Sequence, residues 1–389
     1  LSVDEVKMDE NSITAQVYCM VLGDTVMTDG GQYQDDDGDS YDIEEKELGP
    51  DRGLSIEGGK LFGFGNDFSA GVTGSLLWDD SWRARTEERR SFIPLGDGSL
   101  RRNDDYIIER TTRTIGLSGF LTGGVNYDDL HEIDLTAMML RQTEDETTRQ
   151  IGFNLDEDGD IRINELEWQE RQLVTLQAEG RHVFPFLAGT RLEWDFADSA
   201  AELETPDQRR YRYDPDEEAG FIFSRRADSN VRRYTQLDDS AIDFGADLFV
   251  PLSFAGLLDG EVSGGFRVLD KERDSIIRRF KYEAISNLTL EERRLQDLED
   301  ILVPENIGPD GVRIQEITRN SDTYAAVLDI EAFYGNLDLT IADTIRLSGG
   351  VRVEDWKQNV RTFSLFVPDT IESESNLSDT DLFPSAALT

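Results

Sequence analysis

"TIRLSGGVRVED", residues 344–355, decides the fold. Ile345, Leu347, Gly349, Val351 and Val353 alternate with Arg346, Ser348, Gly350, Arg352 and Glu354. Successive side chains of a β-strand point to opposite faces, so a period of two sends every apolar group to one side and every charge to the other. The same reading holds further out along the chain. "TRLEWDFAD" (190–198) sets Leu192, Trp194 and Phe196 against Arg191, Glu193 and Asp195. "HEIDLTAMML" (131–140) puts Ile133, Leu135, Ala137 and Met139 on one face, and "SAIDFGADLFV" (240–250) does so with Ile242, Phe244, Ala246, Leu248 and Val250. Helical spacing is not sustained over any comparable length.

The connections also alternate. Short ones read as tight turns: "GND" (65–67), "VNYDD" (125–129), "FPFLAG" (184–189), "FAGLLDG" (254–260) and "YGNLD" (334–338). Between them lie charged stretches at 22–52, 143–165, 198–230, 281–317 and 364–380, which read as long acidic loops. Strands of a soluble sandwich usually run about 5–6 residues. Alternation over roughly 10–20 residues is enough to cross a bilayer at a tilt, with the charged face turned to a water-filled or plugged lumen. The expected fold is therefore all-β: part of an antiparallel transmembrane β-barrel, with short periplasmic turns and long acidic extracellular loops. Only a closed barrel satisfies sheet edges in lipid. Residues 1–52 are expected to form an N-terminal strand ("SITAQVYCMV") and an acidic loop, and 53–389 the barrel itself. Trp78, Trp194 and Trp356 are candidates for interfacial aromatic girdles, against the plainer reading of ordinary core or surface aromatics.

Bulk properties narrow the function. The 389 residues carry 81 acids and 39 bases, a formal net charge of -42. Nucleic acid and anionic membrane surfaces would be repelled. Only six bases are Lys; strong acidity with scarce Lys also fits a salty habitat. One cysteine, Cys19, excludes an internal disulfide, and one Cys with two His (His131, His182) argues against zinc. No run of about 18 apolar residues predicts a transmembrane helix. The residues from Leu1 onward do not read as the basic n-region of a signal peptide.

The C-terminal part carries a resemblance. "SDTYAAVLDIEAFYGNLDLTIADTIRLSGGVRVEDWKQNVRTF" (321–363) and "NLSDTDLFPSAALT" (376–389) resemble the barrel of TonB-dependent outer-membrane receptors. There a strand beginning Tyr-Ala-Ala (here Tyr324 to Ala326) precedes a turn, a Gly-Gly-Val-Arg-Val-Glu type strand (here Gly349 to Glu354), a loop, and an "LLPSLNLT"-like strand (here Leu382 to Thr389). "LHEIDLTAMMLRQTEDETTRQIGFN" and "RRYRYD" fit barrel segments of the same family, so the likeness covers about residues 50 to 389. It implies a receptor in the bacterial outer membrane, in contact with its lipid, that imports a scarce nutrient: a siderophore, cobalamin, carbohydrate or peptide. Energy would come through TonB acting on a plug domain. Neither plug nor TonB box is read in these residues, and the eleven or twelve candidate strands are about half of the family's twenty-two. An internal piece, incomplete at its C-terminus, is expected. The competing class is a non-transporting outer-membrane or secreted β protein, such as an adhesin.

"NLDEDGDIRINE" (154–165) matches the spacing of a calcium loop: oxygen ligands at Asn154, Asp156, Asp158 and Asp160 (through its carbonyl), Gly159 sixth and Glu165 twelfth. Strand-like flanks and Asn at the first position favour a hydrated hairpin tip, which is the expected outcome; a weak extracellular Ca2+ site is the other. "QDDDGDSYDIEE" (34–45) lacks a first ligand at Tyr33 and reads as a charged loop. No nucleophile elbow, His-x-x-x-His pair or phosphate loop is present, and His131 has no serine partner in the sequence, so no enzyme is expected. The glycines of "GLSGFLTGG" (116–124) read as relief of crowding on a strand or a bend in it.

Overall fold

The computed structural model describes residues 13–20, 25–29, 43–65, 67–226, 229–254, 258–295, 297–342, 344–367 and 371–389. Sixteen strands follow in order: β1 (Ile13–Met20), β2 (Thr25–Asp29), β3 (Ile43–Glu47), β4 (Asp51–Phe64), β5 (Phe68–Pro94), β6 (Leu100–Tyr127), β7 (His131–Asn154) and β8 (Gly159–Phe184). Then come β9 (Thr190–Asp216), β10 (Gly220–Phe223), β11 (Val231–Phe254), β12 (Leu258–Glu283), β13 (Arg313–Glu316), β14 (Thr323–Ile341), β15 (Ile345–Phe363) and β16 (Ile371–Leu388). All but β2 and β3 belong to one antiparallel sheet, ordered β1-β4-β5-β6-β7-β8-β9-β11-β12-β14-β15-β16. β10 joins β9 and β13 joins β12, while β2 and β3 pair separately. Twelve strands lie on the path, and β1 and β16 are its open edges.

The acidic stretches are mostly not loops. β7 runs to Asn154, a turn occupies 155–158, and β8 resumes at Gly159. Most of 198–230 is the far half of β9, and 371–380 is strand β16. Among the described residues of the charged stretches, only 281–317 holds a long excursion, between β12 and β14, with two short helices α1 (Leu290–Arg293) and α2 (Leu298–Ile301). Charge does not break these strands because each has an equally long neighbour to complete its backbone ladder, and opposite charges meet across it. Arg110 faces Glu146 at 3.4 Å, and Arg113 grips Asp80 with two bonds of 2.9 Å. "YGNLD" is also strand, since Asn336 pairs with Gly350; the chain reverses instead after Ala342, whose φ is 49°. The stretch 34–45 falls mostly outside the described residues, and only its last three belong to β3.

Gly152 shows how tightly the far hairpins are built. Its φ is +151°, and a Cβ there would collide with the Asp105 carbonyl. Tyr106 and Ile161 are its cross-strand partners, and with Ile108 and Ile163 they form a small buried cluster. A larger core gathers the excursion onto the sheet: Leu298, Ile301 and Val312 bury against Leu166, Tyr211, Tyr213 and Phe223.

Register also staggers the turns. Across successive pairs, Phe68 at the start of β5 lines up with Tyr127, His131 and His182, then with Leu192, Leu248, Gly264, Gly335 and Val351. The row begins at a strand end and finishes six residues above the start of β15. At about 3.3 Å per residue and 4.8 Å per strand, that offset tilts the strands by roughly 30° from the perpendicular to the line of turns. Sheared register of this kind is what a sheet needs in order to curl.

Candidate functional site: an apolar convex face and a charged concave wall

The register of eleven strands gives one row on each face. Phe62, Ala70, Val125, Ile133, Gly180, Trp194, Ala246, Phe266, Phe333, Val353 and Leu382 are successive cross-strand partners. No member is polar except through the Trp indole. One residue along, on the opposite face, the row reads Gly63, Ser69, Asn126, Glu132, Arg181, Glu193, Asp247, Gly265, Tyr334, Arg352 and Phe383.

Exposure separates the faces. On β9 and β12 the residues of the apolar face's parity (198, 200 and 202; 270, 272 and 274) are exposed, while their neighbours 199, 201, 271 and 273 are half-buried. The sheet therefore curls with its apolar face outward. Leu347 and Val351 are each 42% exposed on that face, and Phe333 reaches 60%. No second sheet packs over it: the only other sheet among the described residues is the β2–β3 pair.

In β5 the apolar face runs from Phe68 to Trp78, ten steps or about 33 Å along the strand. Aromatic rings rim its lower, tight-turn edge: Phe64 lies 5.5 Å from Phe68, and His131 lies 6.4 Å from Tyr127 and 5.8 Å from Phe184. Of the tryptophans, Trp78 and Trp194 are on the convex face. Trp356 is not: it shares parity with Arg352 on the concave wall, and its indole donates to Asp381 at 3.0 Å. The rim of Phe, Tyr and His was missed because each lies at a strand end, where alternation gives the least signal.

The two histidines meet as register partners fifty-one residues apart, with Nδ1 atoms 3.3 Å from one another. The Trp194 Nε1–H donates to His182 Nε2 at 3.1 Å. A neutral His182 must then carry its proton on Nδ1 and donate it to His131. Trp194 Nε1, both ring nitrogens of His182 and Nδ1 of His131 thus satisfy one another.

The concave wall carries a dense set of charges. A hollow of about 680 Å³ is lined by Glu132, Asp134, Glu179, Glu193, Asp195 and Asp247, with Arg181 and Arg267 among them. Arg267 reaches Asp243 at 2.8 Å and Asp195 at 3.2 Å, and Arg191 reaches Glu193 at 2.7 Å. Four wall aspartates, Asp79, Asp134, Asp195 and Asp247, each sit opposite a glycine (Gly116, Gly124, Gly245, Gly265) whose missing Cβ leaves room for the carboxylate. Carboxylates are the crowding that these glycines relieve. Above the hollow, burial together with Glu165 and Glu146 raises Glu167 above the usual carboxylate range.

The calcium-spaced residues do not converge. Asn154 accepts from the Asp156 backbone at 3.1 Å and donates to Tyr106 Oη at 2.8 Å. Asp158 turns the hairpin with a φ of 50°. Asp160 and Glu165 lie on β8 an odd number of residues apart, hence on opposite faces, and Glu165 accepts from Gln208 at 3.1 Å. Strand pairing of 159–165 replaces the helix an EF-hand would need. Among the described residues no group of three or more His, Cys, Asp or Glu side chains is arranged to hold a metal ion.

No family model and no curated protein matches the chain.

Proposed function

We propose that the chain forms the wall of a β-barrel in a bacterial outer membrane and serves a receptor that imports a scarce nutrient. The observation that carries this is the convex apolar row. Ten strand spacings of about 4.8 Å by some 30 Å of strand make an apolar face of roughly 1,400 Å². Soluble monomers rarely expose more than a few hundred. Lipid is the cover that fits. At a tilt of roughly 30°, 33 Å of strand spans about 29 Å along the membrane normal, close to the apolar belt of about 25 Å in outer-membrane barrels. The aromatic rim then lies at the periplasmic interface, and the charged wall lines an aqueous passage.

Transport rather than passive lining rests on the likeness of 321–389 to TonB-dependent receptors, which makes TonB, acting through a plug, the energy-coupling partner. The nutrient stays within the siderophore, cobalamin, carbohydrate or peptide classes. An adhesin-like barrel is the second reading, favoured by strands that continue far above the belt: Asp79–Pro94 adds fifteen steps or about 50 Å to β5. The test is expression of the full parent gene in an outer membrane, followed by uptake of labelled candidate nutrients with and without TonB. TonB-dependent accumulation sustains the import reading. Surface display without any uptake leaves the adhesin.

A further inference from the structure

At one place on the concave wall an apolar floor meets a cationic rim. Leu140 and Leu173 are direct partners, as are Leu203 and Leu237, and together they floor a hollow of about 760 Å³. Leu140 is 42% exposed on a face where most neighbours are polar. The rim is cationic: Arg171 lies opposite Leu203, and Lys271 and Arg273 stand on β12. Carboxylates beside these cations are few. Lys271 (3.2 Å) and Arg273 share the single carboxylate of Asp239, and Arg171 has only a long contact of 3.8 Å with Glu144. Asp79 is the remaining acid of this face in the hollow. Three cations against two carboxylates is a local reversal in a chain of net charge -42.

An apolar floor with a few convergent polar groups, in a volume between about 300 and 1,000 Å³, is the usual form of a small-molecule site. We propose that this hollow binds an amphiphilic anion, an apolar body of aromatic-ring size bearing one anionic group. The leucines take the body and the rim cations take the charge. The assignment rests on the reading of the concave wall as a passage, and it narrows the ligand class of that passage. It also explains why an acidic wall keeps three cations beside four leucines.

Three photoreactive probes that differ only in charge test it: 4-benzoylbenzoate, 4-benzoylbenzyl alcohol and 4-benzoylbenzylammonium. The whole chain is refolded into lipid nanodiscs and irradiated with each, and the cross-linked peptides are mapped. The benzoate is expected to label 140–142, 171–173, 201–203 and 237–241, about tenfold more than the ammonium probe, as expected for one added charge contact. Arg171→Gln with Lys271→Gln and Arg273→Gln should reduce the benzoate to the level of the alcohol. Leu203→Asn with Leu237→Asn should weaken all three probes, and this second variant keeps every rim charge. Equal labelling by the three probes, benzoate labelling that survives loss of the cations, or a hollow that no probe enters because protein occupies it would each overturn the proposal. Quenching of the Trp194 fluorescence by bromine-labelled lipid is a separate readout: without quenching the membrane reading falls while the site stands.

Discussion

Val351 and Arg352 are adjacent in one strand and belong to different worlds. Val351 sits on the convex face, 42% exposed, within a band that continues across eleven strands. Arg352 sits on the concave wall and bonds Glu354 at 2.9 Å. The backbone ladder treats the two residues alike, since both are paired on each side. What differs is the medium each face is made for. A soluble sandwich would bury the first face and wet the second. Here the apolar face is the outer one, and the charges line the inner face of the curl. Hydrophobic burial therefore does not hold the sheet together from within. The ladder sets the architecture, and lipid is proposed to supply the burial.

The largest test of that contrast is to move a charge from one face to the other. Val351→Arg should impair insertion into liposomes, with a loss of about 2–4 kcal/mol near the bilayer centre. Ser348→Arg, three residues away on the concave wall, should insert like the wild type. Folded fractions read by heat-modifiable mobility and urea titration check both. Equal losses would break the assignment of faces.

Gly152→Ala probes the polar hairpins instead. The backbone there is left-handed and the added methyl meets the Asp105 carbonyl, so about 1–3 kcal/mol of local stability is expected to be lost. Hydrogen exchange should accelerate around the 155–158 turn while the strand segments of the apolar band keep their protection. Loss throughout the sheet would mean that the two halves fold as one unit.

Trp194→Phe keeps the apolar ring and removes the hydrogen bond to His182, an expected loss of about 0.5–1.5 kcal/mol. The imidazole proton resonances of His182 should shift, because its Nε2 loses its donor. Unchanged resonances would refute the assigned Trp194–His182–His131 chain.

The smallest effect is expected at Glu167. Burial and the nearby Glu165 and Glu146 carboxylates raise its pKa, so the folded state holds its proton more tightly than the unfolded chain does. This contribution favours folding below the unfolded value near 4.3 and is lost as pH rises through the raised folded value. Glu167→Gln should therefore narrow the fall in urea midpoint between pH 5 and pH 8. The difference between variant and wild type removes the common effect of the net charge. An identical fall in both proteins would show that the carboxylate cluster is too well hydrated to matter.

Period two in stretches such as 190–198 and 344–355 was enough to determine that this is a long-stranded antiparallel β protein, because strand geometry alone forces alternate residues to opposite faces. It also determined which residues share a face, down to Leu192, Trp194, Phe196, Leu347 and Val351. Where the strands stop was not legible. A charged run such as 143–154 reads as loop in isolation, and only an equally long neighbour able to complete its hydrogen bonds makes it strand. "YGNLD" carried a turn signal that pairing with 348–352 overrode. Twelve-residue spacing alone could not tell a calcium loop from a hairpin, since ligands converge only on a backbone that folds back, and β8 stays extended. The meeting of His131 with His182, the glycine opposite each wall aspartate, and the four leucines beneath three cations all depend on cross-strand register. Register is set by the sum of turn geometry and pairing over the whole sheet, so no local stretch of sequence contains it.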